Sequence, residues 1–167
     1  MKELYLMRHA KSDWNGYYVS DFERTLNKRG RHAAPLMGKV LHAMGVAPDL
    51  ILSSPAIRAA MTAEAVAQEL GYPAEAIRYE PKIYEASLSD LMEIIHALPD
   101  GVSRVMIVGH NPAMTALINT LGDQGLENLP TAGVSGIRFG VDRFSEIAPR
   151  SGEVIFYEYP KKHKGEG

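Results

Sequence analysis

The 167-residue chain contains no cysteine. Disulfides, thiolate metal sites and cysteine nucleophiles are therefore excluded. Aromatic residues are scarce, at 8%, with a single tryptophan. No apolar run approaches the roughly 18 residues of a membrane span. The start, Met1-Lys2-Glu3-Leu4, places an acid before a short apolar stretch that Arg8 breaks, unlike a secretory leader. A cytoplasmic protein with no membrane partner is the expectation. The net charge is only −2, so bulk charge does not predict nucleic-acid binding either. What is present is ordinary globular composition, 46% apolar and 23% charged, at a length that suits one domain. No repeat or Ser/Gly-rich linker divides it. Residues 1–160 are expected to form that domain and 161–167 a flexible tail. The charge is unevenly spread. Residues 1–40 hold eight Lys/Arg against four Asp/Glu, and the remainder ten against sixteen, which hints that an anion is handled near the N-terminus.

Apolar runs of strand length alternate with helical patterns. Leu4 to Met7, Leu50 to Leu52 and Val105 to Val108 predict buried parallel strands. Ile77 to Tyr79 is a candidate fourth. Ile137 to Phe139 and Val154 to Tyr157 predict two late strands paired antiparallel at one edge. Ala33, Leu36, Met37, Val40, Leu41 and Met44 make a helical stripe. Pro35, tolerable only in a first turn, puts its start near Gly30 to His32. A second stripe runs from Ala56 to Leu70, with Ser54 as N-cap and Pro55 at the first helical position. Ser87 to Asp90 reads as a capping box before a third helix, and Asn111-Pro112 caps a fourth. The alternation predicts an α/β fold: a three-layer α/β/α sandwich with a mostly parallel central sheet and an antiparallel edge.

In such sheets ligands bind beyond the carboxyl ends of the strands. Arg8 and His9 follow the first apolar run. Gly109, His110 and Asn111 follow the third. Ser53, Ser54 and Pro55 follow the second, with Arg58 just inside the next helix. Two imidazoles and two guanidiniums therefore converge on one edge, where helix N-termini add to the positive field. Guanidiniums repel a metal cation and grip a tetrahedral oxyanion with paired donors. A neutral imidazole can attack phosphorus and carry the phosphoryl group. Arginines aimed at the equatorial oxygens stabilise the transition state, and no cofactor or metal is called for.

Four segments resemble the histidine phosphatase superfamily. Leu6-Met7-Arg8-His9-Ala10-Lys11-Ser12 is similar to its Arg-His-Gly signature in the form found in the short bacterial SixA-type phosphohistidine phosphatases. Asp21 to Arg31 resembles that group's Arg-x-Leu-Asn-x-x-Gly segment. Ser53 to Ala59 with Thr62-Ala63 resembles its Ser-x-x-x-Arg-Ala-x-x-Thr-Ala segment. Gly109-His110-Asn111-Pro112 resembles its second-histidine motif. The resemblance covers nearly the whole chain and implies a phosphoglycerate mutase-like fold. It also implies a nucleophilic His9 that becomes phosphohistidine, in a phosphate pocket completed by Arg8, Arg58 and His110. Asn15 falls where many relatives place a phosphate-contacting Asn. Arg24 and Asn111 are further substrate-binding candidates. Glu85 falls near the position of the general acid in phosphatase and mutase relatives. Ala10 and Lys11 depart from the wider family's Gly and Glu, as is usual in the short branch.

Alternatives stand beside this reading. Asp13 and Asp21 rival Glu85 as acid. The substrate is a phosphohistidine protein or a phosphorylated small molecule, with no nucleic-acid or membrane partner. A small-molecule phosphomonoesterase using Glu85 and a non-catalytic phosphate-binding module are competing functions. A metallohydrolase is disfavoured, because no Asp/Glu cluster accompanies the histidines. Trp14, Tyr17 and Tyr18 are expected to pack down on the sheet rather than form a lid. His32, His42, His96 and His163 are read as surface or structural.

Overall fold

The computed structural model describes residues 1–17 and 20–163. Its strands are β1 (Lys2–Arg8), β2 (Leu50–Ser53), β3 (Arg78–Tyr79), β4 (Arg104–Gly109), β5 (Val134–Phe139) and β6 (Gly152–Glu158). They form one sheet in the order β3-β2-β4-β1-β5-β6. The first four in that order run parallel, and β5 and β6 are antiparallel, as the two late apolar runs predict. The helices are α1 (Lys28–Ala43), α2 (Ile57–Leu70), α3 (Leu88–His96) and α4 (Ala113–Leu121). Among the described residues no helix is long and apolar enough to cross a membrane.

Side chains of β1 alternate between two cores, as a two-residue period requires. Leu4 and Leu6 pack with Leu91 and Ile95 of α3 and Leu117 and Ile118 of α4. Tyr5 and Met7 pack with Met37 and Leu41 of α1 and Ala63 and Val66 of α2. Both faces are covered, so the central strands read as unbroken apolar runs. Burying each Leu or Met stabilises by about 1.5–3 kcal/mol. A one-residue slip of β1 would send every one of these side chains to the wrong core, so packing fixes the register. That register pairs Arg8 with Gly109 and Ser53 with Val108, which sets His9, His110 and Ser54 beside one another past the strand ends.

Two helix starts differ from expectation. α1 begins at Lys28, where Asn27 Oδ1 accepts the Gly30 amide at 2.9 Å, so Pro35 sits in the helix interior rather than the first turn. The Asn27 cap outweighs the hydrogen bond that Pro35 cannot donate back to Arg31, an exposed residue. α2 begins at Ile57, later than the Ser54-Pro55 signal implies. Ser54 Oγ still accepts the Ala56 amide at 3.2 Å, but the same oxygen also meets His110. The Ser87–Asp90 capping box forms as read. The expected tail is partly ordered: Pro160–His163 make a 3-10 turn tied back by His163 to Glu158 at 2.8 Å, and residues 164–167 lie outside the described residues.

Candidate active site

Two strand ends and the start of α2 deliver four side chains to one place. His9 follows β1, and its amide donates to the Gly109 carbonyl at 3.0 Å. Its ring lies 5.1 Å from that of His110, centroid to centroid. Arg58 stands at the second position of α2, largely buried at 6% exposure. Arg8 donates from Nη1 to the Leu129 carbonyl at 2.9 Å. Among the described residues, the buried side-chain nitrogens without a hydrogen-bond partner are Arg8 Nε, Arg58 Nε and His110 Nδ1. An orphaned buried polar atom costs about 1–3 kcal/mol. Here all three fall on residues that the sequence singles out for one pocket.

The electrostatics favour a neutral, nucleophilic imidazole. Burial lowers the His9 pKa to about 4, with Arg58, Arg8 and Arg24 reinforcing the shift against a contrary pull from its own hydrogen bond. That bond joins Nδ1 to the Ala10 carbonyl at 2.6 Å. A carbonyl only accepts, so Nδ1 carries the proton and Nε2 keeps a free lone pair. Burial also lowers His110 to about 3, helped by His9 and Arg58. Its Nε2 lies 2.8 Å from Ser54 Oγ. Two neutral rings and two fixed cations make a pocket that can bind a tetrahedral oxyanion and offer it a nucleophile. Among the described residues no group of three or more His, Asp or Glu gathers closely enough to hold a metal ion.

Several supporting residues were not assigned a site role from sequence. Asp21, read there only as a rival acid, binds Arg58 Nη2 at 2.9 Å, Arg24 Nε at 3.0 Å and the Tyr84 hydroxyl at 2.9 Å. Partial burial raises its pKa, but the bonds from Tyr84, Arg24 and Arg58 outweigh this and hold it at about 2. An ionised group of that kind is no proton donor near neutrality. Tyr84 also meets the His110 ring edge-on at 5.6 Å. Thr62, buried one turn after Arg58, accepts the Ala10 amide at 2.9 Å and donates to the Arg58 carbonyl at 2.8 Å. Its i+4 spacing from Arg58 is the sequence signal that a hydroxyl there can bridge α2 to the His9 loop.

The remaining sequence candidates fall further out. Arg24 is buried beside the pocket, but its guanidinium is spent on Asp21 and, from Nη1, on Ser12 Oγ at 2.6 Å. Asn111 uses both amide ends on the protein: Nδ2 on Asn128 and Leu129, and Oδ1 on Thr115. It acts as a cap and strap, not as a free substrate contact. Asn15 is exposed in the loop after β1, its amide held by Asp13 Oδ1 at 2.8 Å. Glu85 is exposed, with a left-handed backbone at φ 59°, and lines a groove of about 410 Å³ together with His110. The loop aromatics do not pack on the sheet. Trp14 is 76% exposed, with the Arg24 guanidinium 3.4 Å from its ring centre as a cation–π partner instead of an apolar floor, and Tyr17 is fully exposed. Tyr18 lies outside the described residues.

Comparison with known proteins points the same way. The sequence profile of the histidine phosphatase superfamily (branch 1) matches residues 4–97. An uncharacterized protein of Mycobacterium tuberculosis is 30% identical over 165 residues, spanning 93% of this chain and 100% of that one. A proposed SixA phosphohistidine phosphatase from Nakamurella multipartitia superposes with a TM-score of 0.83 at 25% identity, over 95% of this chain and 96% of the other. A second, from Agrobacterium tumefaciens, gives 0.79 at 29% identity over 95% and 98%. The chain belongs to the histidine phosphatase superfamily. Within that superfamily it is of the SixA type, a phosphatase with the α/β fold of the phosphoglycerate mutase-like proteins.

Proposed function

We propose that this protein is a phosphohistidine phosphatase that works through a covalent phosphohistidine on His9. The observation that carries the reading is the set of unpartnered buried nitrogens on Arg8, Arg58 and His110 around a neutral His9. Those groups hold the equatorial oxygens of a phosphoryl group. Nε2 of His9 attacks phosphorus, a P–N bond forms, and the bond to the leaving nitrogen breaks as that nitrogen takes a proton. Water then attacks the phosphohistidine, which releases inorganic phosphate and restores His9. A phosphoramidate nitrogen needs less protonation help than an alkoxide, which fits a site whose arginine-bound carboxylate, Asp21, is ionised.

The test compares a phosphohistidine protein with alkyl phosphates, with and without chelator, on wild type and His9→Ala. Faster turnover of the phosphohistidine protein, and a phosphoryl group found on His9 by mass spectrometry, are expected. Full activity of a folded His9→Ala protein overturns the mechanism.

A second reading, a small-molecule phosphomonoesterase, draws on the groove shared by Glu85 and His110. Its apolar lining, including Ile83, Leu88, Leu91 and Met114, suits an apolar leaving group, and Glu85 stands at its rim as the acid. Loss of alkyl-phosphate hydrolysis in Glu85→Gln, with phosphohistidine turnover kept, supports that reading as a second activity of the same site.

A further inference from the structure

A second and larger groove, of about 1020 Å³, lies outside the pocket, between α1, residues 130–131 and residues 159–161. Five exposed cations line it: Lys11, Lys28, Arg29, Lys39 and Lys161. No Asp or Glu lines it, and among the described residues none of the five forms an ion pair. In a chain of net charge −2, this is a local concentration of positive charge with no internal counter-charge. The walls between the cations are half-buried and apolar, from Ala33, Leu36, Pro130 and Pro160.

Shape and spacing narrow the occupant. Lys28, His32, Leu36 and Lys39 follow one another at helical spacing on one stripe of α1. At 1.5 Å per residue that stripe is about 16 Å long, too long for one phosphate and matched to about five residues of extended peptide. Apolar walls between the charges suit alternating acidic and apolar side chains. A single strand would look for stacking platforms, of which Tyr159 is the one Phe, Tyr or Trp in the lining.

The groove also adjoins the pocket through the backbone. Lys11 comes two residues after His9. Pro130 follows Leu129, whose carbonyl holds Arg8, and the Ala132 amide donates to the Arg8 and His9 carbonyls at 3.1 Å each. We propose that this groove docks an acidic, partly apolar segment of a phosphoprotein while its phosphorylated side chain occupies the His9 pocket. The proposal rests on the reading of that pocket as one that acts on proteins.

The probe is an unphosphorylated, fluorescein-labelled peptide of about eight residues alternating Glu and Leu, long enough to span the stripe. Its binding to the full chain is followed by anisotropy as salt is raised. The variant Lys28→Gln/Arg29→Gln/Lys39→Gln is expected to bind about tenfold more weakly, three surface contacts at a few tenths of a kcal/mol each. Hydrolysis of p-nitrophenyl phosphate should stay within about twofold of wild type, since none of the three residues lies in the pocket. Equal affinity in the variant, equal affinity for a Ser-Leu peptide, or displacement by an oligonucleotide at lower concentration overturns the proposal. Phosphate-ester turnover without peptide binding removes the docking groove alone. Peptide binding without any turnover leaves the groove standing and removes the catalytic reading.

Discussion

Asp21 and Arg58 are joined at two points: Arg58 Nη1 donates to the Asp21 carbonyl at 2.8 Å and Nη2 to its carboxylate at 2.9 Å. The same carboxylate binds Arg24, so one half-exposed acid bridges two guanidiniums whose side chains are only 7% and 9% exposed, and a net positive charge remains. An oxyanion drawn to Arg58 is therefore a rival of Asp21. Asp21→Asn keeps the shape and removes the charge. Breaking a fully buried pair costs about 3–5 kcal/mol, but Asp21 is solvent-screened on one side, so a loss of about 1 kcal/mol is expected. Inorganic phosphate should inhibit the variant at lower concentration than the wild type. Thermal denaturation and phosphate inhibition check the two effects, and no change in either refutes the rivalry.

The two pocket imidazoles set the response to acid. Their folded pKa values, about 4 for His9 and about 3 for His110, lie below the ordinary 6.5. In the window between, the unfolded chain binds protons that the folded chain refuses, so stability rises with pH. It is complete above about pH 6.5 and is lost progressively as pH falls toward 4 and then 3. Asp21, held at about 2, adds its own loss lower still. Ring resonances of both histidines followed by NMR should titrate below pH 5, and the melting temperature should fall in step. Titration of His9 between pH 6 and 7 would mean that its ring is open to solvent in the folded protein.

The sandwich was legible because three central strands are apolar on both faces, so Leu4 to Met7 and Val105 to Val108 announce themselves without help. The pocket was legible because Arg8 ends the first of those strands, His9 and His110 come directly after them, and Arg58 opens the helix that follows β2. What was hidden depends on contacts across the chain. Asp21 reaches Arg58 over 37 positions and Tyr84 over 63, and nothing local to any of them signals the meeting. Nothing local to Lys28 and Arg29 signals a groove; the fold brings Lys11 and Lys161 beside them. The start of α1 was misplaced because the rule about Pro35 is a local one. The Asn27 cap and the docking of the first turn on the His9 loop decide the boundary instead.

On the proposed mechanism, Thr62 positions His9. It accepts the Ala10 amide, and the Ala10 carbonyl in turn fixes the His9 ring. Both Thr62 and Ala10 are fully buried. Thr62→Val keeps the volume and strands the Ala10 amide, at a cost of about 1–3 kcal/mol. A misplacement of about 1 Å near reacting atoms lowers rates by about a hundredfold. The expected pattern is a fall in kcat with little change in KM, and recovery of kcat in Thr62→Ser. A variant that loses stability but keeps kcat would make Thr62 purely structural.

Gly30 offers the sharpest test of how the first turn of α1 meets the site, because two effects predict opposite signs. In a helix interior, Gly→Ala gains about 1 kcal/mol of helix propensity. At this position, however, an added Cβ would overlap the Lys11 carbonyl oxygen and come within 3.0 Å of the Lys11 amide nitrogen. That carbonyl also accepts the Asn27 amide at 3.0 Å, so it cannot yield without disturbing the α1 cap. Backbone against a new methyl does not relax as a flexible side chain does, and overpacking of this kind costs about 1–3 kcal/mol. The clash outweighs the propensity. Gly30→Ala should unfold at lower urea concentration than the wild type. It should also lose phosphatase activity, since Lys11 lies two residues from His9. A Gly30→Ala protein that is more stable than wild type would mean that the α1 start does not press on the His9 loop.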